Sequence, residues 1–347
     1  MADKSITSTT DSTNAETRNT SKALDTRSFQ ELNDSYKLPV DSTEHSRLDL
    51  QHEAKAISGT SSMSALGLGN GTAARRITAF SYSHNIFISL RAIEMAETFP
   101  DAEVLGIDLR LPSVLQDPSH PVPSNCSFKI ADANRDMEAL GSVFDIVHER
   151  CVDAGIHDWE LFFYEAARIL RPNGVLLLVS ANPQLVDEKG RILPIQRPGS
   201  CIIEAHMKKP PFKLGHTFWK SMLENNPNYT DVRLEEVLVP IGPWPVNVGE
   251  NERRLAELMQ EDHLRLWPAF KAILLRNGDL SEDFVDKLCE GAMKEIRELP
   301  PQVHGYAKWA FAAAVRNESS WTSRKEPWQE PPGFDMSDYV VRPLPKE

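Results

Sequence analysis

Four seven-residue runs, EVLGIDL (103–109), SFKIADA (127–133), FDIVHER (144–150) and VLLLVSA (175–181), constrain this chain more than any other feature. Each is apolar at its centre and ends in polar or small residues. Between and before them lie segments with helical spacing, AIEMAETFP (92–100) and WELFFYEAARIL (159–170). Pro100 ends the first and RPNG the second. Short buried strands alternating with helices predict an α/β fold built on a mostly parallel sheet.

In an open sheet of that kind, ligands sit beyond the carboxyl ends of the strands. Three signals fall there. Asp108 closes the first run, where a carboxylate accepts the hydroxyls of a ribose. Asp132 follows the second, within reach of an adenine amino group. His148, Glu149 and Arg150 end the third, facing the place of a cofactor's reactive end. Each has a plainer reading beside it: a turn residue or helix cap for the aspartates, a solvated Glu–Arg pair for HER. The succession carries more than any one residue.

Bulk properties narrow the partners. A formal net charge of −12 and a pI near 5.4 repel phosphate backbones. The basic pairs Arg75-Arg76, Lys208-Lys209 and Arg253-Arg254 are isolated, so no nucleic-acid partner is expected. Cys126, Cys151, Cys201 and Cys289 form no CxxC pair, so neither a metal site nor a disulfide framework is expected. The amino terminus lacks the apolar core of a signal peptide, and VLLLVSA is too short to span a bilayer. A cytoplasmic protein is expected, with nuclear entry left open and no membrane partner.

Along the chain, residues 1–30 are rich in Ser, Thr, Asn and Asp, and a disordered tail is expected. A lead helical segment is expected over 36–57, then a cofactor-binding core over 85–181. Further on come a helix within LGHTFWKSMLENN (214–226), a strand in DVRLEEVLVPIGPW (231–244) and a helical insertion over 246–300. VHGYAKWAFAAAVR (303–316) reads as a last strand, although its alanines also allow helix. One domain is thus expected over 31–316, with an irregular tail over 317–347.

Together these marks resemble the Rossmann-like, S-adenosylmethionine-dependent methyltransferases, and among them the fungal LaeA-like (UMTA-type) proteins of secondary metabolism. The residues that carry the resemblance are YKLPVDSTEHSRLDLQH (36–52), AIEMAETFPDAEVLGIDL, FKIADA, FDIVHER, the Gly-x-x-Asp-Trp of GIHDW, ILRPNGVLLL and VPIGPWP (239–245). The resemblance implies about seven strands with an antiparallel last pair, and insertion helices near the substrate mouth. It implies S-adenosylmethionine as cofactor, held by Gly67, Gly69, Gly71, Asp108, Leu109, Asp132, Ala133, His148 and Arg150. His148 is the candidate catalytic group near the methyl, with His157 and Asp158 weaker ones. A small-molecule acceptor is implied; the rival is a catalytically impaired regulatory protein with a protein partner. A nicotinamide oxidoreductase suits the HER, LRPNG and GPWP marks poorly. Trp219, Trp244 and Trp267 are expected to pack rather than to touch substrate.

The glycines break the pattern. The family places a strand and a Gly-x-Gly-x-Gly loop directly before the AIEMA helix, because glycines let the backbone approach the cofactor beside free helix amides. Here GLGNGT (67–72) has no clear strand before it, and no glycine occurs from Thr72 to Leu105. The preferred expectation is that NIFISL (85–90) replaces the first central strand. The alternative keeps GLGNGT as the loop and lets the intervening residues bulge out. A translated intron, an altered exon or a degenerated motif would account for the change, and transcript sequencing across 55–95 tests the first two.

Overall fold

A computed structural model describes residues 75–80, 86–109, 121–152, 155–190, 218–276, 280–298 and 304–327. The elements run β1 (Arg76–Phe80), α1 (Ile86–Thr98), β2 (Glu103–Asp108), β3 (Cys126–Ile130), β4 (Phe144–Arg150), α2 (Trp159–Ile169) and β5 (Leu170–Val186). They continue with α3 (Trp219–Glu224), β6 (Tyr229–Pro240), α4 (Glu250–Arg276), α5 (Glu282–Arg297) and β7 (Tyr306–Arg316). The seven strands form one sheet in the order β3-β2-β1-β4-β5-β7-β6. β3 through β5 are parallel, and β7 runs antiparallel to both β5 and β6. The chain order reverses between β1 and β4, which makes their tips the switch point where such sheets bind ligands.

The first strand is not where the sequence put it. RITAF (76–80) forms β1, and NIFISL is helical from Ile86 onward. Strand composition in a short apolar run is a weak preference, and tertiary packing overrides it. Ile77 and Ala79 are buried beneath α1, while Phe80 faces α2. The Thr78 hydroxyl donates to the Leu105 carbonyl at 3.1 Å, so the strand's polar residue is buried with a partner. Joining IFISL to AIEMAET gives α1 13 residues, long enough to lie across the sheet.

Local chemistry fixes the edges of these elements. Asp158 caps α2, its carboxylate accepting from the Leu161 amide at 2.9 Å. After α2 the chain turns through RPNG with Asn173 at φ 66°. A Cβ on Gly174 would stand 2.9 Å from the Arg171 carbonyl oxygen and 3.1 Å from that of Asp145, so only glycine fits. The Asp145 carboxylate accepts from the Arg75 and Arg76 amides, each at 2.8 Å, and from Arg171 at 3.2 Å. Asn125 donates to the carbonyls of Ala96, Phe99 and Ala102, anchoring the end of α1.

Helices cover both faces. On one, α2 and α3 bury Trp159, Phe162, Phe163 and Trp219 against Phe80, Ile107 and Leu176. On the other, Ala92, Met95 and Ala96 of α1 meet Ile77, Val104, Ile146 and Leu177. The last three strands then continue past the tips of the parallel set. β4 ends with Arg150 opposite Val179, whereas β5 runs on to pair Val186 with Tyr306, and β6 ends with Pro240 opposite the same Tyr306. This raised wall carries α4, whose Leu258 and Met259 pack with Val179, Ile241, Trp309 and Phe311. The α4–α5 hairpin has a small core of its own around Leu274, Val285 and Leu288. The expected antiparallel last pair and the helices between VPIGPWP and β7 are both present.

Candidate functional site

The tips of β1, β2, β3 and β4 define the candidate site. Asp108 ends β2 at 4% exposure, and Asp132 lies two residues past the end of β3 at 2%. Their strands are neighbours: Asp108 pairs with Ile130, and the Ala131 amide donates to the Asp108 carbonyl at 2.9 Å. Both acids therefore sit on the same edge of the sheet, within one connection of each other. Carboxylates buried this far are costly and are kept where the surroundings hold them.

Asp132 is held in a way its sequence position did not announce. Its Oδ1 accepts from the Asn134 amide at 2.9 Å and from Asn134 Nδ2 at 2.7 Å, and Arg135 lies 3.4 Å from Oδ2. The Asp132 amide in turn donates to Asp136 at 2.7 Å. Asn134 reaches further, with Nδ2 donating to the Gly155 carbonyl at 2.8 Å and Oδ1 accepting from the His157 amide at 2.9 Å. One side chain thus ties the β3 tip to the loop that follows β4. The signal was present in the spacing, since an Asp two residues before an Asn is a self-bonding turn, but the partner loop was invisible. Beside this network Phe80, Ile107, Ala131, Ala133, Met137 and Leu140 close together with Lys129, Asp132 and Asp136, leaving no room for a water molecule.

The three polar residues ending β4 are all buried, with His148 at 1%, Glu149 at 0% and Arg150 at 9% exposure. The solvated strand end considered from sequence is therefore excluded. Glu149 braces the bend just beyond its own strand, its Oε1 accepting from the Val152 amide at 3.0 Å. His148 lies in register with Ala79 and Leu177, so it belongs to the α1 face, and Arg150 shares that face two residues on. Cys151 follows at φ 54°, a left-handed conformation that bends the chain sharply at the tip.

The remaining candidates separate. Leu109 and Ala133 are buried in the cluster beneath α2. His157 is exposed and contributes its backbone amide, and Asp158 is the helix cap, paired with Arg324 at 2.6 Å. Trp219 is fully buried, and Trp267 packs against the α4–α5 clusters. Trp244 stacks on His304 at 4.2 Å. Gly67, Gly69 and Gly71, the lead segment 36–57 and the tail 1–30 lie outside the described residues. In chain order those glycines precede β1, and the connection from β1 to α1 runs through residues 81–85, also outside them.

Comparison with known proteins follows the same geometry. A family model described as a methyltransferase domain matches residues 85–226, starting just after β1. The chain is 28% identical over 236 residues to the secondary metabolism regulator laeA of Coprinopsis cinerea, covering 65% of this chain and 56% of that one. It is 25% identical over 214 residues to methyltransferase str2 of Strobilurus tenacellus, covering 60% of this chain and 72% of that one. A solved phosphoethanolamine N-methyltransferase 2 from Haemonchus contortus aligns with a TM-score of 0.44 at 18% identity, over 80% of this chain and 59% of that one. The chain spans about half the length of the LaeA relative.

Proposed function

We propose, for a chain that carries a LaeA-like methyltransferase domain, that it binds S-adenosylmethionine at the tips of β1–β4 and transfers the methyl group to a small-molecule acceptor of fungal secondary metabolism. One observation carries this reading: two buried acids, Asp108 and Asp132, at adjacent parallel tips beside a switch point. The residues present fit the adenosine end of that cofactor. Asp108 suits ribose hydroxyls, which need an acceptor. Asp132 suits the amino group of a purine, with Leu109 and Ala133 buried beside the same tips. His148 and Arg150, one strand across the switch point, would hold the methionine end.

The cofactor supplies an activated methyl on a sulfonium. The chain's own share is alignment and exclusion of water. The raised β5–β7–β6 wall and α4 cover the tips on the α1 face, which suits an enclosed acceptor.

A second reading is a regulatory protein with an impaired site, acting through a protein partner. It is favoured by the glycine triplet preceding β1, with none between Thr72 and Leu105. Thermal shift with S-adenosylmethionine against NAD separates the readings. Stabilisation by the former alone supports the enzyme; no shift with either supports the regulator.

A further inference from the structure

Asn134 is half-buried at the β3 tip, and the methyl-transfer reading gives it no part. Its side-chain amide is oriented by its neighbours. Nδ2 faces two oxygens, Asp132 Oδ1 at 2.7 Å and the Gly155 carbonyl at 2.8 Å, whereas Oδ1 faces the His157 amide at 2.9 Å. An amide nitrogen only donates and its oxygen only accepts, so the flipped side chain would break all three bonds.

The turn on which Asn134 leans is itself fixed. The Gly155 and Ile156 amides donate to the Val152 carbonyl at 2.8 and 3.3 Å. The Val152 amide is held by Glu149 of β4, and Asp158 opens α2 as its cap. The turn is thus attached to β4 on one side and to α2 on the other.

The acid that Asn134 grips has one freedom left. The Asp132 amide donates to Asp136 at 2.7 Å, and its carbonyl accepts from the amides of Arg135 at 2.9 Å and Asp136 at 2.7 Å. That pins the backbone, but rotation about the last bond of an aspartate is broad. The Asn134 main-chain amide at 2.9 Å and Nδ2 at 2.7 Å both donate to Oδ1, which selects one rotation and so sets the direction of Oδ2. Arg135 approaches Oδ2 at 3.4 Å from a side chain that is 62% exposed, and a contact of that kind orders little.

We infer that Asn134 is the positioning residue through which Asp132 tells a purine with a 6-amino group from one with a 6-oxo group. It acts through Asp132 and touches no ligand itself. An amino group donates and a carbonyl only accepts, so a carboxylate oxygen bonds the first and repels the second. Hydrogen bonds weaken steeply off line, so the discrimination is sharp only while the carboxylate's direction is held. This rests on the methyl-transfer reading and adds a specificity determinant to its adenosine end.

Calorimetry on the full chain with S-adenosylhomocysteine and S-inosylhomocysteine, which differ only in the hydrogen-bonding edge of the purine at its 6-position and N1, tests it. The wild type is expected to bind the adenosyl ligand at least about 10-fold more tightly. Asn134→Ala should reduce that preference by at least about threefold. Asn134→Asp keeps an acceptor for the His157 amide but loses the donor to Asp132, and should reduce it by as much. The preference is a ratio, so it does not depend on how much of each variant is folded. Such a fall in both variants supports the assignment. A smaller fall in either, even with weaker binding of both ligands, overturns it and leaves Asn134 a loop tether. A wild type that falls short of the expected preference overturns it while leaving cofactor binding intact. Failure of the wild type to bind either ligand overturns both this assignment and the reading on which it rests.

Discussion

The two halves of the sheet are held in different ways. The parallel half, β3-β2-β1-β4, is tied at its tips by polar side chains: Asp132 grips Asn134, Asn134 grips the loop after β4, and Glu149 grips Val152. The other half, β5-β7-β6, rises past those tips and is held by apolar packing of Trp309, Phe311 and Val239 against α4. Hydrogen bonds fix direction, whereas hydrophobic contact fixes volume and tolerates exchange of shape. The first half suits a ligand whose outline never changes, such as an adenosyl group. The second is held by contacts that tolerate exchange of side chains.

The sharpest way to break this comparison is to damage the wall and watch the cofactor. Trp309→Ala removes a buried indole and is expected to cost about 3–5 kcal/mol of stability. The folded fraction should still bind S-adenosylmethionine with unchanged affinity. Urea melts and calorimetry measure the two effects. A large loss of affinity in protein that remains folded would mean the halves are not separable.

The reverse cut falls on the polar half. Asn134→Ala deletes bonds to Asp132, Gly155 and His157. About 1–3 kcal/mol of stability should go with them, and S-adenosylmethionine affinity should fall several-fold because the β3 tip loses its tether. Retained affinity would show that Asp132 is not used by the cofactor. A smaller change is expected from Arg324→Ala, which frees Asp158 and Glu160 at the start of α2. The pair is partly exposed, so about 1 kcal/mol or less is expected, with neither half's ligand affected.

Alkaline pH acts on both halves. Burial pushes the Cys126 thiol of β3 from an ordinary value near 9.0 up to about 12. Cys289 of α5 rises to about 11, through burial first and then the charge of Asp286. A thiol with a raised pKa keeps its proton in the native state after the unfolded chain has lost it. Stability should therefore be full below pH 9 and fall as pH rises toward 11–12. Chemical denaturation at stepped pH checks this, and Cys126→Ala should flatten part of the slope.

The difference between the halves also governs what could be read in the sequence. EVLGID, FDIVHER and the β5 run were legible because strands buried on both faces leave continuous apolar letters. The alanines of β7 left helix and strand open. The structure settles them as a strand, since Ala310, Ala312 and Ala314 lie on the α2 face while Ala313 faces the other way. RITAF was missed because it opens on a charged residue and spans only five. Its place between β2 and β4 comes from packing. Asp132 and Asp108 could be named from their positions, but the Asn134 tether could not, because its partners lie 21 and 23 residues away.

The central claim, that acids at neighbouring tips grip an adenosyl group, is tested most directly by titrating S-adenosylmethionine into Asp108→Asn by calorimetry. The amide keeps the size of the side chain and removes its charge. A charged hydrogen-bond acceptor contributes about 1.5–3 kcal/mol, so binding at least about 10-fold weaker than wild type is predicted, with the melting temperature held or raised. Unchanged affinity in a well-folded variant would contradict the account.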